Sequence, residues 1–392
     1  MSGSITPYMT ADGRRYRVRY RKPDKSQTDK RGFKTKRDAE TYLASVTVSK
    51  ATGDYIDPAA SRVTLGELGR AWMRTKQATL KPSSYHSIEV SWRVYVEPRW
   101  NSTPVGDVKP TAVETWIAEL ANGSAVTART KAQRSAVGPR SATVTLRALG
   151  ILAGILDAAV RDRRIPRNPA RGARNLPTKH SSKRRRYLTD AEVVQLARST
   201  DDRTRATLIL VLAYCGLRWG EAIGLRVSDL NMLRRRIHVN QSAVEVDGVI
   251  HVGAPKSWEK RTVPFPTFLA APLAELCEGK TSAALVFAGP RGEFLRRPKT
   301  SDGTSSWLLA ALESAGLERL TPHDLRHTAA SLAIASGANV KAVQRMLGHK
   351  SAAMTLDTYA DLFDSDLDDV AIRLDERASA AGVGKVWAER PA

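Results

Sequence analysis

The chain has 392 residues, 42% of them hydrophobic, a formal net charge of +22 and two cysteines. That length predicts two or three domains rather than one, each able to bury a core. The charge excess points to a polyanion, nucleic acid by default, while two cysteines exclude a disulfide framework and fit a reducing cytoplasm. No window approaches 18 uncharged apolar residues, so neither a membrane-spanning helix nor a membrane partner is expected. The first residues lack a basic segment followed by an apolar core, so no secretory signal is expected.

In chain order, residues 1–62 predict a small unit of strands and one helix. Arg15-Tyr-Arg-Val-Arg-Tyr-Arg21 alternates basic with apolar or aromatic residues, the period of a half-buried strand. Pro23-Asp-Lys-Ser reads as a turn, and Gly32-Phe33 lies in a later strand. Thr35 opens a helix running to about Lys50, with Gly53 as its stop. This span holds 14 Lys and Arg against 7 Asp and Glu. A solvated basic face and a DNA-binding module are both open readings of it.

Residues 63–165 read as helical. Thr64 and Glu67 form a candidate capping box. Ser83 begins a second helix that ends near Pro98, and Pro110 sits in the first turn of a third. Asn122-Gly begins a polar, basic loop through Pro139. The last helix, about 141–163, carries Leu146, Leu149, Leu152, Ile155, Leu156 and Ala159 on one stripe. The Trp and Leu side chains read as core, and Lys76, Lys81, Arg129, Lys131 and Arg147 as candidate phosphate contacts. Residues 161–186 then hold 11 Lys and Arg, one acidic residue and three prolines. So polar a stretch cannot fold alone, and 166–186 reads as a linker that tracks a phosphate backbone, ending in Arg184, Arg185 and Arg186.

A third unit begins near Tyr187. Thr189 and Glu192 predict a capping box. Residues 204–215 predict a buried helix ending at Gly216. Residues 237–251 predict a β-hairpin turning at Asp247-Gly248, and 263–266 the end of that sheet. Three helices follow near 305–315, 323–336 and 339–347.

Five separated elements of this unit share one chemistry. They are Arg218 in Cys215-Gly-Leu-Arg-Trp-Gly-Glu221, Lys256 in Ala-Pro-Lys-Ser, His323-Asp-Leu-Arg326-His327, Leu347-Gly-His349, and Tyr359 in Thr-Leu-Asp-Thr-Tyr-Ala. Phosphoryl transfer at a diester develops charge on the non-bridging oxygens, and arginine forks meet that charge with bidentate contacts. Glu221 buttresses Arg218 from three residues on. His323 and Arg326 share one helical face. A tyrosine, with a free pKa of about 10, attacks phosphorus only when positive charge or a base activates it. His327 lies one turn beyond His323, a spacing compatible with metal. Two arginines would repel a divalent cation, so His327 reads as structural and no metal or cofactor is expected. No carboxylate cluster accompanies the motifs, which argues against a two-metal nuclease.

The joint order and spacing of these elements resemble the tyrosine recombinase (phage integrase) family, in its lambda-integrase-like form with an N-terminal arm-binding domain. The resemblance is dense over about residues 187–370. It implies a multidomain fold, mainly α with small β-sheets. Residues 1–62 would be a three-stranded sheet plus helix that binds arm-type DNA, with Arg15, Arg17, Arg19 and Arg21 toward the groove. Residues 63–165 would be a helical core-binding domain, 187–370 an α+β catalytic domain, and 371–392 a tail that docks on a neighbouring protomer. It further implies that Arg218 and Arg326 clamp the scissile phosphate and that Lys256 protonates the leaving 5′ oxygen, with Lys260 a competitor. His323 would assist proton transfer, His349 would hydrogen-bond the phosphate, and Tyr359 would be the nucleophile. The implied partners are double-stranded core and arm attachment sites, a homotetramer on DNA, a host DNA-bending protein and an excisionase, in the cytoplasm and nucleoid of a bacterial host. Two alternatives share the motifs: a type IB topoisomerase-like enzyme, and a DNA-binding regulator with a degenerate catalytic fold.

Overall fold

The computed structural model describes residues 3–53, 55–128, 138–178, 186–255, 260–363 and 366–382. The chain divides into two compact units, 1–181 and 182–392.

The first unit opens with an antiparallel sheet, β1 (Gly3–Thr10), β2 (Gly13–Arg21) and β3 (Gln27–Phe33), in that order. In β2 the alternation seen in the sequence puts Val18 and Tyr20 into a core with Ala39 and Val46 of the helix Lys36–Ala51. Thr35 caps that helix by accepting from the Asp38 amide at 3.1 Å. The sequence pattern does not mark β1, an edge strand whose Pro7 pairs opposite Tyr16. An edge tolerates the missing donor.

Four helical segments then form a second core. Leu65–Thr79 is capped by Thr64, which accepts from the Glu67 amide at 3.2 Å. Pro82–Ser91 opens a helical run that ends at Trp100, near Pro98 as the sequence predicts. It continues through a five-residue π turn, Trp92–Val96, into Glu97–Trp100. The wide turn absorbs the proline, because Pro98 falls in the first turn of the last segment, where no amide donor is needed. Pro110–Asn122 ends at Gly123, in the left-handed conformation with φ 88°. Ala142–Arg161 buries Leu149, Leu152, Ile155, Leu156 and Ala159, and Trp100 meets Trp116 edge-on at 5.8 Å.

Two sequence expectations change here. Ala142–Arg161 is long and apolar enough, by length and composition alone, to cross a membrane, although half of that stretch is buried inside this bundle. The stretch read as a linker begins inside the bundle too. Ile165 and Ala170 join its core, Asn168 donates to Ala153 O at 2.8 Å, and Arg171 pairs with Asp157 at 2.6 Å. A few apolar anchors and one carboxylate suffice to hold it. Residues 179–185, including Arg184 and Arg185, lie outside the described residues, as do Arg129 and Lys131.

The second unit is built around Arg203–Cys215, a helix buried along most of its length. Asp190–Arg198 packs on it behind the complete Thr189–Glu192 capping box. The predicted 237–251 hairpin divides. β5 (Arg236–Val239) joins a three-stranded sheet between β4 (Leu230–Asn231) and β8 (Arg261–Pro264). Only β6 (Ser242–Val246) and β7 (Val249–Gly253) make the hairpin, around Asp247 and Gly248, both at positive φ. The break is fixed by side chains: Asn240 donates to Asp229 at 2.7 Å and Gln241 to Gly224 O at 2.8 Å. Helices Ala270–Cys277, Trp307–Ser314, Pro322–Ala335, Val340–Leu347, Ala352–Tyr359 and Asp366–Ala380 follow. On the last of these, Val370, Ile372 and Leu374 are exposed.

Gly69 tests the packing of the helical bundle. A Cβ there would lie 2.0 Å from the Trp92 ring, whereas one at Gly150 would meet nothing within 4 Å. Gly69→Ala is expected to lose about 1–3 kcal/mol by overpacking, while Gly150→Ala gains up to about 1 kcal/mol of helix propensity. Urea denaturation followed by tryptophan fluorescence measures both; equal effects would mean that the helix approach is looser than described.

Candidate active site

Two glycine-ended helices deliver the site. Arg203–Cys215 ends at Gly216, φ 63°, and the chain re-enters the short helix Trp219–Ile223 with Arg218 as its first flanking residue. Val340–Leu347 ends at Gly348, φ 66°, and His349 follows. Glycine takes this left-handed conformation without strain. The space is limiting as well, since a Cβ on Gly216 would lie 2.7 Å from Leu347 and one on Gly348 would lie 2.9 Å from Arg261.

Glu221 is wholly buried and serves three groups. Its carboxylate accepts from the Arg218 amide at 2.9 Å, from Arg218 Nη1 at 2.7 Å, and from both Nη atoms of Arg261 at 3.0 and 2.7 Å. Burial alone pushes its carboxyl pKa up. The two guanidinium groups outweigh that and hold it at about 2. Arg261 also donates to Met346 O at 3.2 Å, tying β8 to the helix that precedes His349.

Arg326 is 2% exposed. It donates to Gly216 O and Leu347 O, the carbonyl ends of the same two helices. Burial, and then the Arg218 charge, lower its pKa to about 9, which leaves it cationic at neutral pH. Three guanidinium groups thus face one carboxylate, and the unbalanced positive charge suits an anion.

His323 lies at the start of Pro322–Ala335, where Thr321 and Asp324 form a capping box and Pro322 fills the first turn. His349 Nδ1 pairs with Thr355 Oγ1 at 3.0 Å, and burial, followed by the charges of Arg326 and Arg218, lowers the His349 pKa to about 4. The imidazole is therefore neutral at neutral pH. Tyr359 ends the helix Ala352–Tyr359 and is 1% exposed. The His349 ring lies parallel to its phenol at 6.4 Å, and the Tyr187 ring stands at 6.5 Å.

The fold therefore gathers Arg218, Glu221, Arg326, His349 and Tyr359, with His323 beside them. Lys256 lies outside the described residues. Lys260 is exposed at the entry to β8. Two residues enter that the sequence reading does not assign to the site. His327, read there as structural, places Nδ1 2.7 Å from the Tyr359 hydroxyl oxygen. Arg261 shares the Glu221 carboxylate. Neither carries a local signal beyond its residue type.

The candidate DNA contacts divide. Arg19, Arg21 and Arg147 are exposed, while Arg15 and Lys81 are half-buried. Arg17 pairs with Asp29 at 3.7 Å, and Lys76 lies over the Trp72 ring at 5.0 Å. Arg186 is held by Glu192 at 3.0 Å and Glu318 at 2.9 Å.

Comparison with known proteins places this geometry. The chain is 26% identical over 341 residues to the integrase of Mycobacterium phage D29, covering 83% of this chain and 84% of that protein. The Tn1549 transposon integrase, solved in complex with a circular intermediate DNA, superimposes with a TM-score of 0.62 at 22% identity, over 78% of this chain and 99% of that one. The lambda integrase tetramer bound to a Holliday junction gives a TM-score of 0.54 at 19% identity, over 90% and 94%. The protein is accordingly a site-specific recombinase of the tyrosine class. Residues 186–366, just under half of the chain, match the model of the phage integrase family.

Glu221→Gln should show how much rests on the buried carboxylate. Removing one partner of a buried ion pair typically destabilises by about 3–5 kcal/mol. A carboxyl depressed in the folded state contributes stability above its unfolded pKa and loses it as pH falls through the folded value. The parent should thus lose stability between the ordinary 4.5 and about 2, and the variant should lack that part of the slope. Denaturation midpoints across that range check both; identical slopes would remove the ion pair as their source.

Proposed function

We propose that this recombinase cuts and rejoins DNA through a 3′-phosphotyrosyl intermediate on Tyr359, and thereby integrates or excises a mobile element. The observation that carries the reading is the meeting of two arginines and His349 around a tyrosine that follows His349 by only ten residues. Arg218 and Arg326 hold the non-bridging oxygens of the scissile phosphate. Glu221 and the two helix-end carbonyls fix the guanidinium planes beforehand, so little reorganisation accompanies the transition state. Neutral His349 donates a hydrogen bond to the same phosphate. His323 assists proton transfer, and Lys256, which follows β7 in the sequence, protonates the departing 5′ oxygen. The phosphotyrosine conserves the energy of the diester, so a 5′-hydroxyl of another strand reverses the step without ATP.

The assembly on DNA is proposed as a homotetramer, with residues 63–165 on the core site and 1–62 on arm sites. A separate sheet-and-helix core in residues 3–53 supports that division of labour. A host DNA-bending protein and an excisionase complete the proposed partners. A type IB topoisomerase-like activity and a non-catalytic regulator are not favoured.

Tyr359→Phe should bind a core half-site as the parent does and form no covalent adduct on a nicked suicide substrate, read on a denaturing gel. An adduct in the variant would move the nucleophile elsewhere. Deletion of residues 1–62 should spare core-site cleavage and abolish complete integrative recombination. Recombination at the parental rate by the shortened chain would remove the arm-binding role.

A further inference from the structure

We infer that His327 is the base that takes the proton from Tyr359, a role that rests on the reading of Tyr359 as the nucleophile. The two residues are 32 apart in sequence, and the fold brings Nδ1 to 2.7 Å from the hydroxyl oxygen. A base must lie within hydrogen-bond reach of the proton that it removes, about 2.6–3.2 Å. The rings meet edge-on, at 62° with centroids 5.7 Å apart, so a nitrogen in the imidazole plane faces the hydroxyl.

The arginines and His349 do not fill this role. Arginine has no acceptor, which removes Arg218, Arg261 and Arg326. The His349 ring lies parallel to the phenol, and its Nδ1 is engaged with Thr355. The His323 ring stands against His327 at 4.7 Å, one helical turn earlier. His327 is also well fixed. It sits in Pro322–Ala335 between Arg326, held by two carbonyls, and Thr328, which is 1% exposed and accepts from the Leu188 amide at 3.2 Å.

The step balances. The hydroxyl proton of Tyr359 passes to His327 Nδ1 as the phenolic oxygen bonds to phosphorus. The bond from phosphorus to the 5′ oxygen breaks with its electron pair on oxygen, which takes a proton from the acid assigned to Lys256. His327 holds its proton as an imidazolium. It returns the proton when a 5′-hydroxyl attacks the phosphotyrosine and the tyrosine leaves, the hydroxyl proton passing back to the group assigned to Lys256.

His327→Gln keeps a hydrogen-bonding side chain without a titrating nitrogen. The test is single-turnover cleavage by the full chain on two nicked core sites, one with an ordinary diester and one with sulfur in place of the bridging 5′ oxygen. A sulfur leaving group needs no proton. The variant is expected to form its adduct at least about 100-fold more slowly than the parent on both substrates, with unchanged half-site binding, whereas Lys256→Ala is slow on the oxygen substrate alone. A parental rate for His327→Gln, or its recovery on the sulfur substrate, would overturn the base role. Should the variant not fold, the nitrogen-15 shifts of the seven histidines in the unsubstituted protein decide the matter. An unprotonated Nδ1 on His327 at neutral pH is expected, and a protonated one refutes the proposal. Peptide mapping of the parental adduct separates the two readings. An adduct away from Tyr359 removes the nucleophile assignment itself, whereas an adduct on Tyr359 with a fully active His327→Gln removes only the base.

Discussion

The second unit depends on one buried carboxylate. Glu221 is out of water, and a buried ion is tolerated only when charge and hydrogen bonds replace its hydration. Arg218 and Arg261 supply both, and an amide of the same turn supplies one bond more. Because the partners come from a short helix and from β8, satisfying Glu221 fixes where those elements sit. Arg218 is thus aimed before any phosphate arrives.

Arg326 extends the same logic to helix ends. The last carbonyls of a helix carry the negative end of its dipole and lack partners inside the helix. Arg326 donates to one such end at Gly216 and to another at Leu347. A cation that is expensive to bury is stabilised by two dipole ends, and in return it locks together the two turns that present Arg218 and His349. The same crowding explains why glycine stands at both turns. The positive charge left over suits an anion.

The first unit solves a different problem. Its two cores lie apart, one under the N-terminal sheet and one among the helices around Trp100 and Trp116. Neither buries a charged side chain among the described residues, and their arginines and lysines stay at or near the surface. Such a surface binds a polyanion through charge and shape, without a preorganised catalytic centre.

Much of this was legible in the chain. Thr35, Thr64 and Thr189 announced helix starts, Gly123 and Gly216 announced ends, and the alternation in Arg15–Arg21 announced β2. The stripe from Leu149 to Ala159 announced a core helix, and the motif spacing announced Arg218, Arg326, His349 and Tyr359. All of these rest on hydrogen bonds or periodicities among near neighbours, which a sequence carries directly. The π turn that carries the chain past Pro98, the division of β5 from the hairpin, the sharing of Glu221 with Arg261 and the contact of His327 with Tyr359 were decided elsewhere. Each depends on which side chain another segment brings within about 3 Å, the reach of a hydrogen bond. Partners that are 32 residues apart, as with His327 and Tyr359, or 40 apart, as with Glu221 and Arg261, meet only once the helices have packed. The sequence by itself determined the parts and their chemistry; tertiary packing alone decided which histidine faces Tyr359 and which charges share a carboxylate.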